Sequence, residues 1–255
     1  MKTVVVTGPT GHLGCAIVSH LLTNFNVIGI SRTACSLQLD HQVDGKCVGK
    51  YIPINQDLSS VSSETLLSLI EESVSSVNSF LIGLVNNAFT DYPSTALSVD
   101  TSTVHSCAES LLGIHIRLSL AVAGLLKESQ SGSIVNIASM YGKVSPRLDL
   151  YTSLDSANPI LYGAFKASLI QASKYLSSLL APDGIRVNSV SYGPFPSLTV
   201  QSGDPEFINK LAAQTHLKRI GIPYEAAGII GFLLSNESSY ITGADIPVDG
   251  GWTAW

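Results

Sequence analysis

"VVVTGPTGHLG", residues 4–14, carries three local signals in one short run. Val4, Val5 and Val6 are β-branched and read as part of a buried strand that starts at Lys2 and closes at Thr7. Gly8 to Gly11 then make a turn. From His12 to Thr23 the pattern becomes helical, with Leu13, Ile17, Leu21 and Leu22 sharing a face. Gly8 permits the tight turn, Gly11 leaves backbone free to approach a phosphate, and Gly14 lets the helix lie close to the strand. A helix N-terminus placed this way aims unpaired N–H groups at an anion, and strand, glycine turn and helix together point to a dinucleotide pyrophosphate.

The same alternation continues to the end of the chain. "NVIGIS" (26–31) reads as a second strand and "KYIPINQDLS" (50–59) as a third, followed by a helix over Ser63 to Val77. The apolar run from Phe80 ends in the pair Asn86-Asn87, a helical stretch covers Val104 to Glu128, and "GSIVNIAS" (132–139) is another buried strand. Tyr162 to Leu180 is helical, "IRVNSVS" (185–191) a strand, Pro223 to Leu234 a helix, and "YITGADIPVDGGW" (240–252) a short strand with its turn. Strands alternating with helices predict an α/β fold: one doubly wound parallel sheet flanked by helices on both faces. No linker, repeat or composition shift divides residues 1–255, so a single domain is expected.

Bulk properties narrow the function classes. The net charge is −5 and only 13% of residues are charged, with no basic stripe, which argues against nucleic acid as a partner. Apolar runs are short and interrupted, so neither a membrane span nor a signal peptide is read, and the cytoplasm is the expected location. Cys15, Cys35, Cys47 and Cys107 form no metal-ligand spacing and read as reduced thiols in or near the core; the six histidines are scattered. No metal site is expected.

The end of the second strand chooses between dinucleotides. An NAD site expects a carboxylate about 20 residues beyond the glycine turn, to accept from a ribose hydroxyl. Here that place holds Ser31-Arg32-Thr33, with no carboxylate before Asp40. Arg32 between two hydroxyls suits a 2′-phosphate, and His12 in the turn could add positive character. NADP (NADPH) is expected, with NAD as the less favoured cofactor.

Asparagine is a poor strand residue because its amide competes with the backbone ladder, so the pair at 86–87 suggests a specific task where that strand stops. Further on, "YGAFKASLIQASKYL" (162–176) sets Tyr162 and Lys166 four apart, on one face of a helix. An ammonium beside a phenol favours the phenolate and makes the tyrosine a general acid and base. Ser139 closes a strand, at the sheet end where parallel α/β proteins bind ligands, and its hydroxyl can bond a carbonyl oxygen that gains charge.

With these residues in place, the chain resembles the short-chain dehydrogenase/reductase family along its whole length. The pieces are "TGPTGHLG", "QDLS", "NNA", "NIAS", "YGAFK", "IRVNSVSYGP" and the terminal "VDGGW". The resemblance implies a Rossmann-like domain and a reaction that interconverts a ketone and a secondary alcohol. It implies that Ser139 polarises the carbonyl, Tyr162 transfers the proton, and Lys166 binds the nicotinamide ribose and tunes Tyr162. Gly8, Thr10, Gly11, His12, Leu13 and Gly14 would form the cofactor turn, with Ser31, Arg32 and Thr33 at the adenosine end. Asp57 and Leu58 would contact adenine, Asn87 and Ala88 the adenosine side, and Tyr192, Gly193 and Phe195 the nicotinamide amide.

Four departures from the family pattern stand out. The glycine spacing is TGxxGxxG, as in the family's extended branch; Phe89 replaces the glycine that follows "NNA"; and Ser139 and Tyr162 lie 23 positions apart instead of about a dozen. The added residues predict an enlarged loop over the substrate pocket. Its Arg147, Asp149, Tyr151, Asp155 and Asn158 suggest a hydroxylated, sugar-like or sugar-nucleotide small molecule, and Asp155 in place of a lysine disfavours Tyr151 as the catalytic tyrosine. The fourth departure is a missing catalytic asparagine near residues 110 to 115, where Ser110, His115 or nothing takes its place. The overall likeness, including "PVDGGWTAW" (247–255), leans to sugar-acid dehydrogenases of the gluconate type and polysaccharide-pathway enzymes. The alternative is an NADP-binding sensor with weak or no catalysis. Relatives form tetramers, so a homo-oligomer is expected, with Trp252 and Trp255 either at an interface or packed on their own chain.

Overall fold

The valine run of residues 4–6 is wholly buried, and its side chains divide between two cores as strand alternation requires. In the computed structural model, which describes residues 1–33, 47–89 and 99–255, Val4 and Val6 pack on one face and Val5 on the other. The strand is β1 (Thr3–Thr7), followed by α1 (His12–Leu21), β2 (Asn26–Ser31), β3 (Tyr51–Asn55), α2 (Ser63–Ser76) and β4 (Leu81–Asn86). Next come α3 (Thr101–Ala108), α4 (Ile114–Ala121), α5 (Ala123–Glu128), β5 (Ser133–Ser139), α6 (Ile160–Leu180) and β6 (Arg186–Tyr192). The chain ends with α7 (Leu198–Gly203), α8 (Pro205–Gln214), α9 (Pro223–Leu234) and β7 (Asp245–Val248).

The seven strands pair in parallel in the order β3-β2-β1-β4-β5-β6-β7, the doubly wound sheet of a Rossmann-like domain. α1 and α9 cover one face, where Ile17, Leu21, Ile230 and Leu233 meet β1, β4 and β5. α2, α4 and α6 cover the other, where Ile70, Leu118 and Leu176 meet Ile28, Leu84 and Ile134. The strand order reverses between β1 and β4, so the C-terminal ends of those strands open the crevice in which such sheets bind ligands.

Two expectations change. The single helix read over 104–128 is three helices, with a π turn at Glu109–Gly113 between α3 and α4 and a break at Val122. Glu109 pairs with Arg117 across the π turn, and Gly113 accommodates Glu109, whose carboxylate a Cβ would meet at 2.4 Å. In addition α7 and α8 fill the stretch before α9, each capped by a polar side chain, Ser197 and Asp204. Of the thiols, Cys107 is buried, Cys15 partly so, and Cys47 exposed, which corrects the expectation for Cys47; Cys35 and Asp40 lie outside the described residues.

Gly14 is where the first motif is tightest. A Cβ there would stand 2.1 Å from the Gly8 carbonyl oxygen and 3.1 Å from Asn87 Nδ2. Gly14→Ala is expected to cost about 3 kcal/mol, because backbone must shift to admit the methyl. Urea unfolding of the variant checks this: an unchanged midpoint would mean that the turn is loosely held.

Candidate active site

A cleft of about 610 Å³ opens at the C-terminal edge of the sheet. The turn of residues 8–14 forms one wall. Gly8 is left-handed (φ 63°), and Gly11, the N-cap of α1, brings no side-chain cap and no acidic residue to the first turn. The amides at the start of α1 therefore remain available to an anion from the cleft. Thr10, His12 and Leu13 line the same wall. His12 hydrogen-bonds the Pro196 backbone, and its burial lowers its pKa below the ordinary value.

Ser31, Arg32 and Thr33 carry the cleft past the end of β2, with the Arg32 side chain exposed. Across from them, Asp57 accepts from the Ser59 amide (3.0 Å) and hydroxyl (2.7 Å). Those bonds, with a smaller contribution from the Arg32 charge, hold its carboxyl below the usual carboxylate range. Leu58 adds an apolar surface beside it, and its carbonyl accepts from Arg117 at 3.2 Å, which ties this wall to α4.

The asparagine pair has two tasks. Asn87 Nδ2 donates to the carbonyls of Thr7 (3.1 Å) and Gly8 (3.0 Å), and Thr7 Oγ1 accepts from the amides of Asn87 (2.9 Å) and Ala88 (2.8 Å). The ends of β1 and β4 are thereby locked together where both Asn87 and Ala88 face the cleft. Asn86 points the opposite way, into the protein, donating to Asn136 Oδ1 (2.7 Å), Ser119 Oγ (3.0 Å) and the His115 carbonyl (3.3 Å).

Ser139, Tyr162 and Lys166 line the same cleft. Ser139 ends β5 and its Oγ accepts from the Tyr141 amide at 3.2 Å. Close packing brings α6 to it: a Cβ on Gly163 would sit 2.8 Å from the Tyr141 carbonyl, and one on Gly142 2.9 Å from the Ala167 amide. Lys166 is buried, donates to the Ile137 carbonyl at 2.7 Å, and stands 5.8 Å from the Tyr162 ring centre. Burial lowers its pKa to about 8. Phe89 meets the Tyr162 ring edge-on at 5.6 Å. Tyr192, Gly193 and Phe195 close the far end, the Tyr192 hydroxyl being donated away from the cleft to the Ala226 carbonyl.

Every residue named from the sequence for catalysis or cofactor binding lines this one cleft. Sequence reading missed Gln56, Ser59, Ile114 and Ile137, which line it as well, and assigned no site role to Phe89. The enlarged loop behaves differently from expectation. Arg147 pairs with Asp149 and donates to Gln214 at 2.9 Å, Tyr151 packs on Phe207 at 5.2 Å, and Leu150 joins a cluster with Leu211 and Trp252. None of Lys143 to Pro159 lines the cleft. Tyr151 instead takes hydrogen bonds with Tyr141 (3.0 Å) and Asn158 (3.1 Å). Trp252 is buried within its own chain, and Trp255, largely exposed, donates to the Gln214 carbonyl at 3.0 Å and meets the His216 ring edge-on at 4.1 Å. Among the described residues no helix is long and apolar enough to cross a membrane, and no cluster of three or more His, Cys, Asp or Glu could hold a metal.

Comparison with known proteins agrees with this geometry. Residues 54–253 match the profile of a family described as enoyl-(acyl carrier protein) reductase. A tropinone reductase homolog of Arabidopsis thaliana is 31% identical over 258 residues, covering 99% of this chain and 92% of the plant protein. A short-chain dehydrogenase of Leptospira borgpetersenii, solved with bound NAD+, superposes with a TM-score of 0.81 at 28% identity, over 99% of this chain and 92% of that one. ElxO with NADP bound superposes with a TM-score of 0.80 over 100% of this chain and 99% of that one, and at 21% identity it shows the fold alone. The chain belongs to the short-chain dehydrogenase/reductase family of oxidoreductases.

Proposed function

We propose that residues 1–255 form one NADP-dependent oxidoreductase unit that interconverts a ketone and a secondary alcohol on a small polar molecule. The observation that carries this reading is the convergence of Ser139, Tyr162 and buried Lys166 on the cleft headed by the glycine turn. The cleft fits a dinucleotide: the uncapped start of α1 suits the pyrophosphate, Leu58 the adenine, and Arg32 with Ser31 and Thr33 a 2′-phosphate. A bound nicotinamide supplies or takes up the hydride. In reduction, the Ser139 hydroxyl donates to the carbonyl oxygen as negative charge builds there, and Tyr162 hands that oxygen its proton. The Lys166 ammonium stabilises the phenolate left behind. Apolar Phe89 and Ile137 border the reacting groups and limit water there.

The substrate choice lies between a keto sugar acid, suggested by the sequence likeness, and a cyclic ketone, suggested by the plant relative's name. Internal pairing of Arg147 with Asp149 weakens the case that the long loop reads sugar hydroxyls. An alternative assignment, an NADP sensor, draws on Ser110 and His115 standing where the family has its asparagine. A cytoplasmic homo-oligomer is the accompanying proposal for location and assembly, supported by exposed Tyr175 and Leu179 on α6.

Paired fluorescence titrations with NADPH and NADH test the cofactor assignment. NADPH is expected to bind at least about tenfold more tightly, and Arg32→Ala to erase that preference by weakening NADPH alone, since a charge-assisted contact is worth about 1.5–3 kcal/mol. Equal affinities in the unaltered protein would return the site to NAD.

A further inference from the structure

Phe89 is an aromatic side chain left open to solvent on the wall of the cleft. It stands where the family pattern has a glycine, so its ring is this chain's own addition after Asn87 and Ala88. The residue is 45% exposed, and its ring meets the Tyr162 ring edge-on at 5.6 Å. Tyr162 also packs on the apolar cluster of Met140, Leu150, Leu211 and Trp252. An exposed aromatic ring in a concave site is stabilised when an apolar ligand covers it. Charge points the same way. Among the described residues, the Lys and Arg side chains that line the cleft are Arg32, past the end of β2, and Lys166, which donates to the Ile137 carbonyl. The cations that follow Ser139 in the chain are matched by carboxylates, Lys143 by Asp245 at 3.1 Å and Arg147 by Asp149 at 2.9 Å. Residues 90–98, next in sequence after Phe89, contain no Lys, Arg or His and one carboxylate, Asp91. A carboxylate beside Phe89 and Tyr162 would lose water without gaining a counter-ion.

We propose that Phe89 is a specificity-determining residue, and that it selects a ketone carried on a compact apolar ring with no negative charge. This rests on the oxidoreductase reading given above and narrows its substrate class. The ring of such a ketone covers the Phe89 side chain and displaces water from it. Its carbonyl oxygen, the one strong acceptor it carries, is matched by the Ser139 hydroxyl and by Tyr162. A keto sugar acid meets the same wall at two disadvantages. Its hydroxyls lose water against aromatic carbon, and its carboxylate finds no counter-ion there among the described residues. The reaction balances as for any ketone: hydride from NADPH bonds to the carbonyl carbon, the C=O π pair becomes an O–H bond with the Tyr162 proton, and one solvent proton restores the phenol. The products are NADP+ and a secondary alcohol with its ring intact.

The test has a binding arm and a rate arm, and only the second rests on the proposed activity. In the first, cyclohexanone and ketogluconate are titrated into the NADP+-saturated protein and their contact is read by saturation-transfer NMR. Cyclohexanone is expected to bind at least about tenfold more tightly than ketogluconate. Phe89→Ala is expected to weaken cyclohexanone about tenfold while the Kd for NADP+ stays within about threefold, and Phe89→Leu, which keeps an apolar wall, to recover most of the loss. No binding of cyclohexanone, equal binding of the two ketones, or a Phe89→Ala protein that loses NADP+ in place of cyclohexanone overturns the proposal. In the second arm, reduction by NADPH is followed with cyclohexanone, acetone and ketogluconate. Phe89→Ala is expected to raise the KM for cyclohexanone about tenfold and to leave that for acetone, which has no ring to lay on the wall, within about twofold. A rise in both would mark a general disturbance of the site and overturn the assignment of Phe89. Ketogluconate reduced as efficiently as cyclohexanone by the unaltered protein overturns the substrate class. If no ketone turns over while cyclohexanone binds and Phe89→Ala weakens it, the proposed activity fails and the apolar subsite stands.

Discussion

Tyr162→Phe is expected to lower turnover about a thousandfold while the Kd for NADPH stays within about threefold, the range that general acid–base catalysis supplies. The substitution removes one oxygen and little else. The ring keeps its edge contact with Phe89, and Lys166 keeps its bond to the Ile137 carbonyl, so neither the cleft nor the ammonium should move. Loss of rate with binding intact is the signature of a group that acts on the reacting atoms. Steady-state kinetics and a coenzyme titration on the same preparation decide it. A variant that turns over at the original rate would remove Tyr162 from the mechanism and with it the reason to place Lys166 beneath the phenol.

The second large effect is on stability. His115 has a folded pKa of about 3, below the ordinary 6.5, because burial disfavours its charged form. Between those values the unfolded chain binds a proton that the folded protein does not, so stability rises with pH there and is lost as the pH falls from 6.5 toward 3. The full loss from this one group is on the order of 4 kcal/mol. Lys166, lowered to about 8 by burial, has the same sign at the alkaline end, with stability rising from about 8 toward 10.5 because the unfolded chain there holds a proton that the folded protein has lost. Urea midpoints measured across the acid range should therefore fall steeply for the unaltered protein and more gently for His115→Phe. Parallel acid limbs in the two proteins would show that the histidine is not buried as described.

The site was legible where each residue type has few alternative reasons to stand in its place. Gly14 cannot carry a Cβ beside the Gly8 carbonyl, Asn87 sits where side-chain amide donors bind the end of a neighbouring strand, and a lysine four residues after a tyrosine shares its helical face. Alternating strands and helices likewise announced the parallel sheet, because each strand buries both faces. What escaped depended on contacts between distant parts of the chain. The π turn is braced by Glu109 and Arg117, a pair whose meaning appears only once the helix has formed. The long loop looked like a polar surface facing substrate, yet Arg147 and Asp149 pair with each other and Leu150 and Tyr151 pack on α8 and Trp252. Cys47 looked like a core thiol by type and proved exposed, since a lone cysteine carries no periodic signal.

The measurement that bears most directly on the proposed activity is a single-turnover incubation with NADPH deuterated at its transferring position. The protein would be mixed with tropinone, cyclohexanone and a keto sugar acid, and the alcohols analysed by mass spectrometry. One of the alcohols is expected to carry one deuterium, and Tyr162→Phe to abolish its formation. Tight NADPH binding with no deuterium in any alcohol would contradict the enzyme reading and favour the sensor.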